Sequence, residues 1–151
     1  MLNDNLKLRG DVAIVLRDKD GNVKDERKIT NLVVNSGLAY ICSRMAGSSP
    51  GVMTHMGAGS GTTAAAAGQT DLVSILGSRE ALDSTSASAN AITFQCTWEA
   101  GDATGAITES GIFNAASSGS GTMLARVVFG VVNKAASDTL SITHTITLTA
   151  S

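Results

Sequence analysis

Two histidines, two cysteines and thirteen carboxylates are the groups in this 151-residue chain whose types could do chemistry. His144 stands out. It sits in "DTLSITHTITLTAS", where Leu140, Ile142, His144, Ile146 and Leu148 alternate with Ser or Thr, so an imidazole occupies an otherwise apolar row. A metal site there would need two or three converging ligands. The only other histidine, His55, lies in a distant strand-like fragment, and the only acid beside the last strand is Asp138 at its start. A Ser-His-Asp arrangement can be drawn from any Ser-rich chain, so its availability assigns nothing. The row therefore predicts a neutral imidazole packed on an inner face or at a subunit contact. Such a group must charge on acidification, which predicts acid sensitivity.

The other chemical motifs dissolve on inspection. Gly47-Ser48-Ser49-Pro50-Gly51 satisfies the G-x-S-x-G expression of hydrolases. That elbow belongs between a strand and a helix and uses the backbone N–H after the nucleophile, and here the next residue is Pro50, which has none. Gly57-Ala58-Gly59-Ser60-Gly61 lacks both the dinucleotide fingerprint and the terminal Lys of a phosphate loop, so it reads as a connection. Asp18 and Asp20 begin a calcium-like run without the later ligands an EF-hand needs. Glu99 with Asp102, Glu80 with Asp83, and Glu109 have no spacing that fixes two carboxylates across a cleft. Arg79 and Glu80 read as a local charged pair or an intersubunit contact. Cys42 and Cys96 form neither a CxxC nor a zinc spacing, and both are expected to be reduced and packed. No catalytic, cofactor-binding or metal-binding residue is assigned.

The elements that carry these residues are mostly strands. "DVAIVLRDKDGNVKDERKITNLVV" predicts a charged hairpin over about 7–34, with Asp20-Gly21 at its turn. "NSGLAYICSRMAG" predicts the one helix, over about 36–46: Leu38, Ile41, Cys42 and Met45 form an inward stripe, Asn35 or Ser36 caps the start and Gly47 ends it. A Gly/Ala-rich loop follows at about 57–69, and "TDLVSILGSREAL" suggests a short helical turn with Leu72, Ile75 and Leu76 inward. "NAITFQCTWEAG" alternates Ile92, Phe94, Cys96 and Trp98 against Thr and Gln. Two more strands, around Ile107 to Phe113 and Met123 to Val132, flank a Gly/Ser hairpin tip. The expectation is one all-β domain over 1–151: an antiparallel, jelly-roll-like β-sandwich of about six to eight strands with one short α-helix.

Composition narrows the class. Charged residues are 16% and aromatic residues 3% of the chain, with a formal net charge of -2, which gives no electrostatic reason to expect nucleic acid or an anionic membrane as partner. No run approaches a membrane span and the first residues lack a targeting h-region. Seven of the eleven basic residues precede Ile29, so the rest of the surface is small-featured and weakly charged, which suits equally a Ser/Thr-coated surface that stays soluble by itself and a face covered by neighbouring subunits. Trp98 and Tyr40 read as core and helix-surface residues rather than a sugar platform.

The order of the pieces carries a resemblance. "ITNLVVNSGLAYICSRMAG", "THMGAGSGTTAAAAGQTDL", "AITESGIFNAASSGSGTMLARVVF" and "DTLSITHTITL" together resemble small virion proteins of tailed bacteriophages, from about Lys7 to Leu148. The first two blocks are similar to the opening domain of phage tail-collar fibre proteins, where a T-N-x-G-L-A helix precedes a T-H-x-x-x-G-x-G strand and loop, and Glu109 to Phe113 fits the E-x-G-I-F piece. A fibre protein would continue into a shaft, whereas this sequence stops at Ser151, which favours a separate docking module. The resemblance implies a non-enzymatic virion protein assembled in the host bacterial cytoplasm. The leading expectation is a capsid decoration or cement protein, dimeric or trimeric, on the major capsid protein. A collar, baseplate or fibre-attachment component among tail proteins is the alternative, and a receptor-binding module is a weaker one.

Overall fold

A computed structural model describes residues 5–48 and 50–150. Its nine strands and one helix run β1 Leu6–Arg17, β2 Val23–Val33, α1 Asn35–Met45, β3 His55–Gly59, β4 Glu80–Ala81, β5 Ser84–Ser88, β6 Ala91–Trp98, β7 Gly105–Phe113, β8 Met123–Lys134 and β9 Thr139–Ala150. All pairings are antiparallel, in the order β4-β3-β7-β8-β2-β1-β9-β6-β5. The all-β class with one helix is as expected. The layering differs in one respect: β2 pairs with β1 along most of its length and with β8 through Leu32 and Val33, so one continuous sheet curls into a half-barrel where two separate sheets of a sandwich were expected. The count exceeds the expected six to eight because β4 has two residues and β5 is Ser-Thr-Ser-Ala-Ser, neither of which carries an apolar alternation.

Period-two alternation builds the core. The strand registers place Trp98, Leu140 and Leu16 in one row, Cys96, Ile142 and Ile14 in the next, and Phe94, His144 and Val12 in the third. These rows face Met56, Ala58, Ile107, Ile112 and Val127 of the other half in one buried cluster. The hairpin turn forms as read: Gly21 has a positive φ, and the Asp18 carboxylate accepts from the backbone N–H of Asp20 and Asn22.

β7 departs from half-buried alternation, because every residue from Ile107 to Phe113 is buried. The segment after β3 explains this. It folds over the outer face of β7 and β8, with Leu72 packing on Val34, Phe113 and Met123. The 71–76 stretch is therefore no helical turn but a strap: Ile75 bridges Gly59, Ser60 N–H donates to Ser74 O and Leu76 N–H to Ala58 O. The Gly/Ala-rich stretch begins as strand through Gly59 and becomes a loop only after it.

The helix lies where expected but is rotated. Gly37 presses on the backbone of β8 so closely that a Cβ would collide with Leu124 O. That contact turns Gly37, Tyr40 and Ile41 toward the sheet and leaves Leu38, Cys42 and Met45 exposed, Met45 at 83%. Cys42 is thus an exposed thiol, a correction to the packed one expected. The residue before the helix is Val34, and no side chain caps it; instead Asn35 N–H donates to Ala67 O, and the Ser36 hydroxyl donates to Met123 O. Gly47 ends the helix as read, its N–H donating to Arg44 O while Ser48 N–H reaches Ser43 O.

Candidate functional site

His144 is fully buried and held from two directions. Its Nδ1 lies 2.9 Å from Asn31 Nδ2 of β2, and its Nε2 lies 3.3 Å from Ser110 Oγ of β7 in the facing half. In the tautomer in which the amide donates to Nδ1, the ring proton sits on Nε2 and is donated to the serine. Gly10 makes this possible. It stands between Ile146 and Asn31 in its row, and the Asn31 side chain occupies the space where a Cβ would lie, crossing β1 to reach β9. Burial pushes the imidazole down to about 3, so it is neutral at ordinary pH.

Serine, histidine and asparagine in this connectivity imitate a nucleophile, a base and its orienting group. Access decides against that chemistry in this conformation. Ser110 and His144 are both fully buried, and neither lines the two surface clefts described below. An imidazole so hard to protonate is also a poor proton acceptor near neutral pH. The trio ties three strands of the curled sheet together across the core.

A second buried cluster was not legible as such in the sequence. Glu109 and Arg126 form a fully buried ion pair on the outer face of β7 and β8, both Nε and Nη2 reaching Oε2 at 3.0 and 2.8 Å. The same carboxylate accepts from the backbone N–H of Gly61, Val73 and Ser74, while Arg126 Nη1 donates to Thr63 O and Gln69 Oε1. Desolvation pushes the carboxyl upward, but the Ser74 and Val73 amides together with Arg126 outweigh it and hold it below the usual range. A carboxylate with five donors is a staple for the strap, not a general base. The signal was present in "MLARVVF", where an Arg interrupts an apolar run and must find an internal partner.

The remaining candidates are likewise engaged. Arg79 does not pair with Glu80; it pairs with Asp71 at 3.1 Å, stacks 3.5 Å over the Phe113 ring and donates to Ala115 O and Ser120 O of the hairpin tip. Lys134 Nζ donates to Glu99 O, and Asp138 accepts from Lys24 at 2.6 Å and from Ala135 N–H. Glu99 and Asp102 flank a turn as expected. Glu80 lies in β4, and Asp83 accepts from the Thr97 hydroxyl. His55, at the head of β3, bonds the Thr54 hydroxyl and does not join His144. Cys96 is buried, its thiol directed at Ala81 O and pushed up to about 12, first by desolvation. Trp98 is fully buried, as read. Ser49 of the G-x-S-x-G expression lies outside the described residues. Among the described residues no group of three or more His, Cys, Asp and Glu could hold a metal ion, and no helix is long and apolar enough to cross a membrane.

Two surface clefts formed by the described residues bear on binding. One, of about 630 Å³, is a groove on the outer face of β1, β2 and β9, rimmed by Arg9, Asp11, Lys28, Thr30, Thr143 and Thr145 over a largely apolar floor. The other, of about 500 Å³, is mainly apolar and lies between α1 and the β5–β6 end of the sheet. Its walls include Tyr40, Ile41, Met45, Val52, Phe94 and Leu148, with Arg44 among them. Of the two, this cleft is the better built to bind something, since exposed apolar side chains surround a concavity of ligand-binding size. Helical periodicity had assigned Met45 to the core, which concealed it.

Comparisons with protein-family models, curated proteins and solved structures return no match.

Proposed function

We propose that this is a non-enzymatic structural protein of a tailed-phage virion, a capsid decoration or cement protein that docks as a dimer or trimer on the major capsid protein of the assembled head. The observation that carries the reading is where the resemblance-bearing residues fall. Gly37 of the G-L-A block is the contact on which α1 seats against β8. Gly61 of the glycine block meets Glu109 so closely that a Cβ would collide with its carboxylate. Glu109 of the E-x-G-I-F piece is the hub of the strap. These motif positions are joints of one architecture, as expected of packing motifs shared by a family of building blocks. Most of the buried polar groups are likewise spent on internal ties, leaving Thr93, Thr143 and Thr145 on an outer face of β6 and β9 suited to repeated weak contacts in a lattice.

Gold-labelled antibody against the protein, applied to intact virions, tests the proposal. Label over the head, with a copy number comparable with the major capsid protein, supports decoration. Label at the collar or tail tip moves the same module to a tail, baseplate or fibre-attachment role. Unlabelled particles, with the epitope shown to be accessible, refute a virion role.

A further inference from the structure

We propose that the apolar cleft beside α1 receives an extended strand from a partner protein, which pairs with the free edge of β5 and inserts alternate apolar side chains under the helix. Two independent features meet there. The first is the edge. Ser84–Ser88 pairs only with β6, all five residues are exposed, and none is charged or proline, so the usual protections of an edge strand are missing.

The second is the direction of the side chains. Thr85 and Ala87 pair with Phe94 and Ile92, so the four share one side of the sheet, and all four line the cleft. A tenth strand laid along β5 would send every second side chain over the same concavity, while its other side chains would join Ser84, Ser86 and Ser88 on the outer side. Backbone pairing would supply affinity and the cleft specificity, as in recognition by strand addition. The insertion would also cover Met45 and Val52, which are 83% and 56% exposed.

Charge sets one more requirement on the partner. Arg44 lines the cleft, donates to Pro50 O and has no carboxylate partner among the described residues. The strand should therefore carry an acidic residue at its helix side. A second copy fits less well. Pairing β5 with its own copy would set Ser, Thr and Ala against themselves and leave the apolar walls unfilled. The inference stands independently of the virion reading.

The test displays a library of short random peptides to the immobilised full chain, then titrates the synthesised winners against wild type, Ala87→Asp and Arg44→Glu. Both positions are exposed, and circular dichroism serves as the check that the variants fold. The expected winners alternate apolar and polar residues, include an acid and protect the 84–88 amides from hydrogen exchange. They should bind Ala87→Asp at least about tenfold more weakly, and selection on Arg44→Glu should replace the acid with a basic residue. The proposal is overturned by an absence of enriched peptides, by winners without alternation, or by undiminished binding to Ala87→Asp. Self-association of wild type that Ala87→Asp abolishes would likewise overturn it, assigning the edge to a second copy.

Discussion

Acidification should weaken the half-barrel first through His144, at pH values above those at which Glu109 and Asp138 lose their contributions. The folded imidazole is pushed from 6.5 to about 3 by burial, and the groups that touch it, Asn31 and Ser110, are uncharged. Because the folded value lies below the unfolded one, the unfolded chain takes up the proton first. The contribution of neutral His144 to stability is therefore complete above 6.5 and drains away as the pH falls toward 3. At about 1.4 kcal/mol per pH unit, the full loss approaches about 5 kcal/mol, of which about 2 kcal/mol is gone by about pH 5.

That upper part of the window isolates the histidine. Glu109 and Asp138 are also held low in the folded state, but from ordinary values of 4.5 and 3.8, so their contributions fade only at lower pH. The assay is urea unfolding at a series of pH values between about 7.5 and 5, in a His55→Gln background so that His144 is the only imidazole. The parent should lose about 2 kcal/mol across the series. His144→Phe removes both hydrogen bonds and starts from a lower stability, yet its stability should be level over the same range. Equal slopes in the two proteins, or a His144 ring signal titrating near 6.5 in the folded state by NMR, would refute the reasoning.

Breaking the strap's staple should be costly: Glu109→Gln leaves the Arg126 charge buried and uncompensated, and a loss of about 3–5 kcal/mol in chemical denaturation is expected, with faster amide exchange at Gly61, Val73 and Ser74. Gly37→Ala should lower stability by about 2–3 kcal/mol, because the added methyl meets the Leu124 carbonyl and α1 must lift from β8; calorimetry reads the change. The thiols should separate in alkylation followed by mass spectrometry, with Cys42 modified in the folded protein and Cys96 only after unfolding.

Strands were legible where one face is buried and the other wet. Val12 to Leu16, Ile92 to Trp98 and Leu140 to Ile146 alternate in sequence, and their inner residues are all buried or nearly so. The pattern failed where that condition fails. β5 has no buried face, so its Ser-Thr-Ser-Ala-Ser gives no alternation, and β7 has two because the strap covers its outside. The helix was found from its period but misoriented, since a stripe counts large apolar residues whereas the contact that fixes α1 is Gly37, which has no side chain to count. His144 was correctly read as a packed neutral ring. Its partners were not, because Asn31 reaches it only across the gap at Gly10, a relation between three strands that no local spacing records.

The placement of charge joins these observations. Of the four basic residues beyond Ile29, Arg79, Arg126 and Lys134 are buried and only Arg44 is exposed. The low charge of this part of the chain therefore understates how bare its surface is of cations, since three of the few present face inward and hold loops to strands. Burying a guanidinium costs several kcal/mol, offset as far as its hydrogen bonds are met, so each such residue favours one arrangement of the loops around it, although Arg79 Nε has no partner among the described residues. Arg126 requires the carbonyl of Thr63 and the side chain of Gln69, and Arg79 requires the carbonyls of Ala115 and Ser120. Long Gly, Ser and Ala connections that composition alone would leave loose are thereby given defined positions. Arg44, the exposed exception, lies at the cleft beside the unpaired strand, where an incoming acidic residue would meet the one cation beyond the hairpin that the fold has not already turned inward.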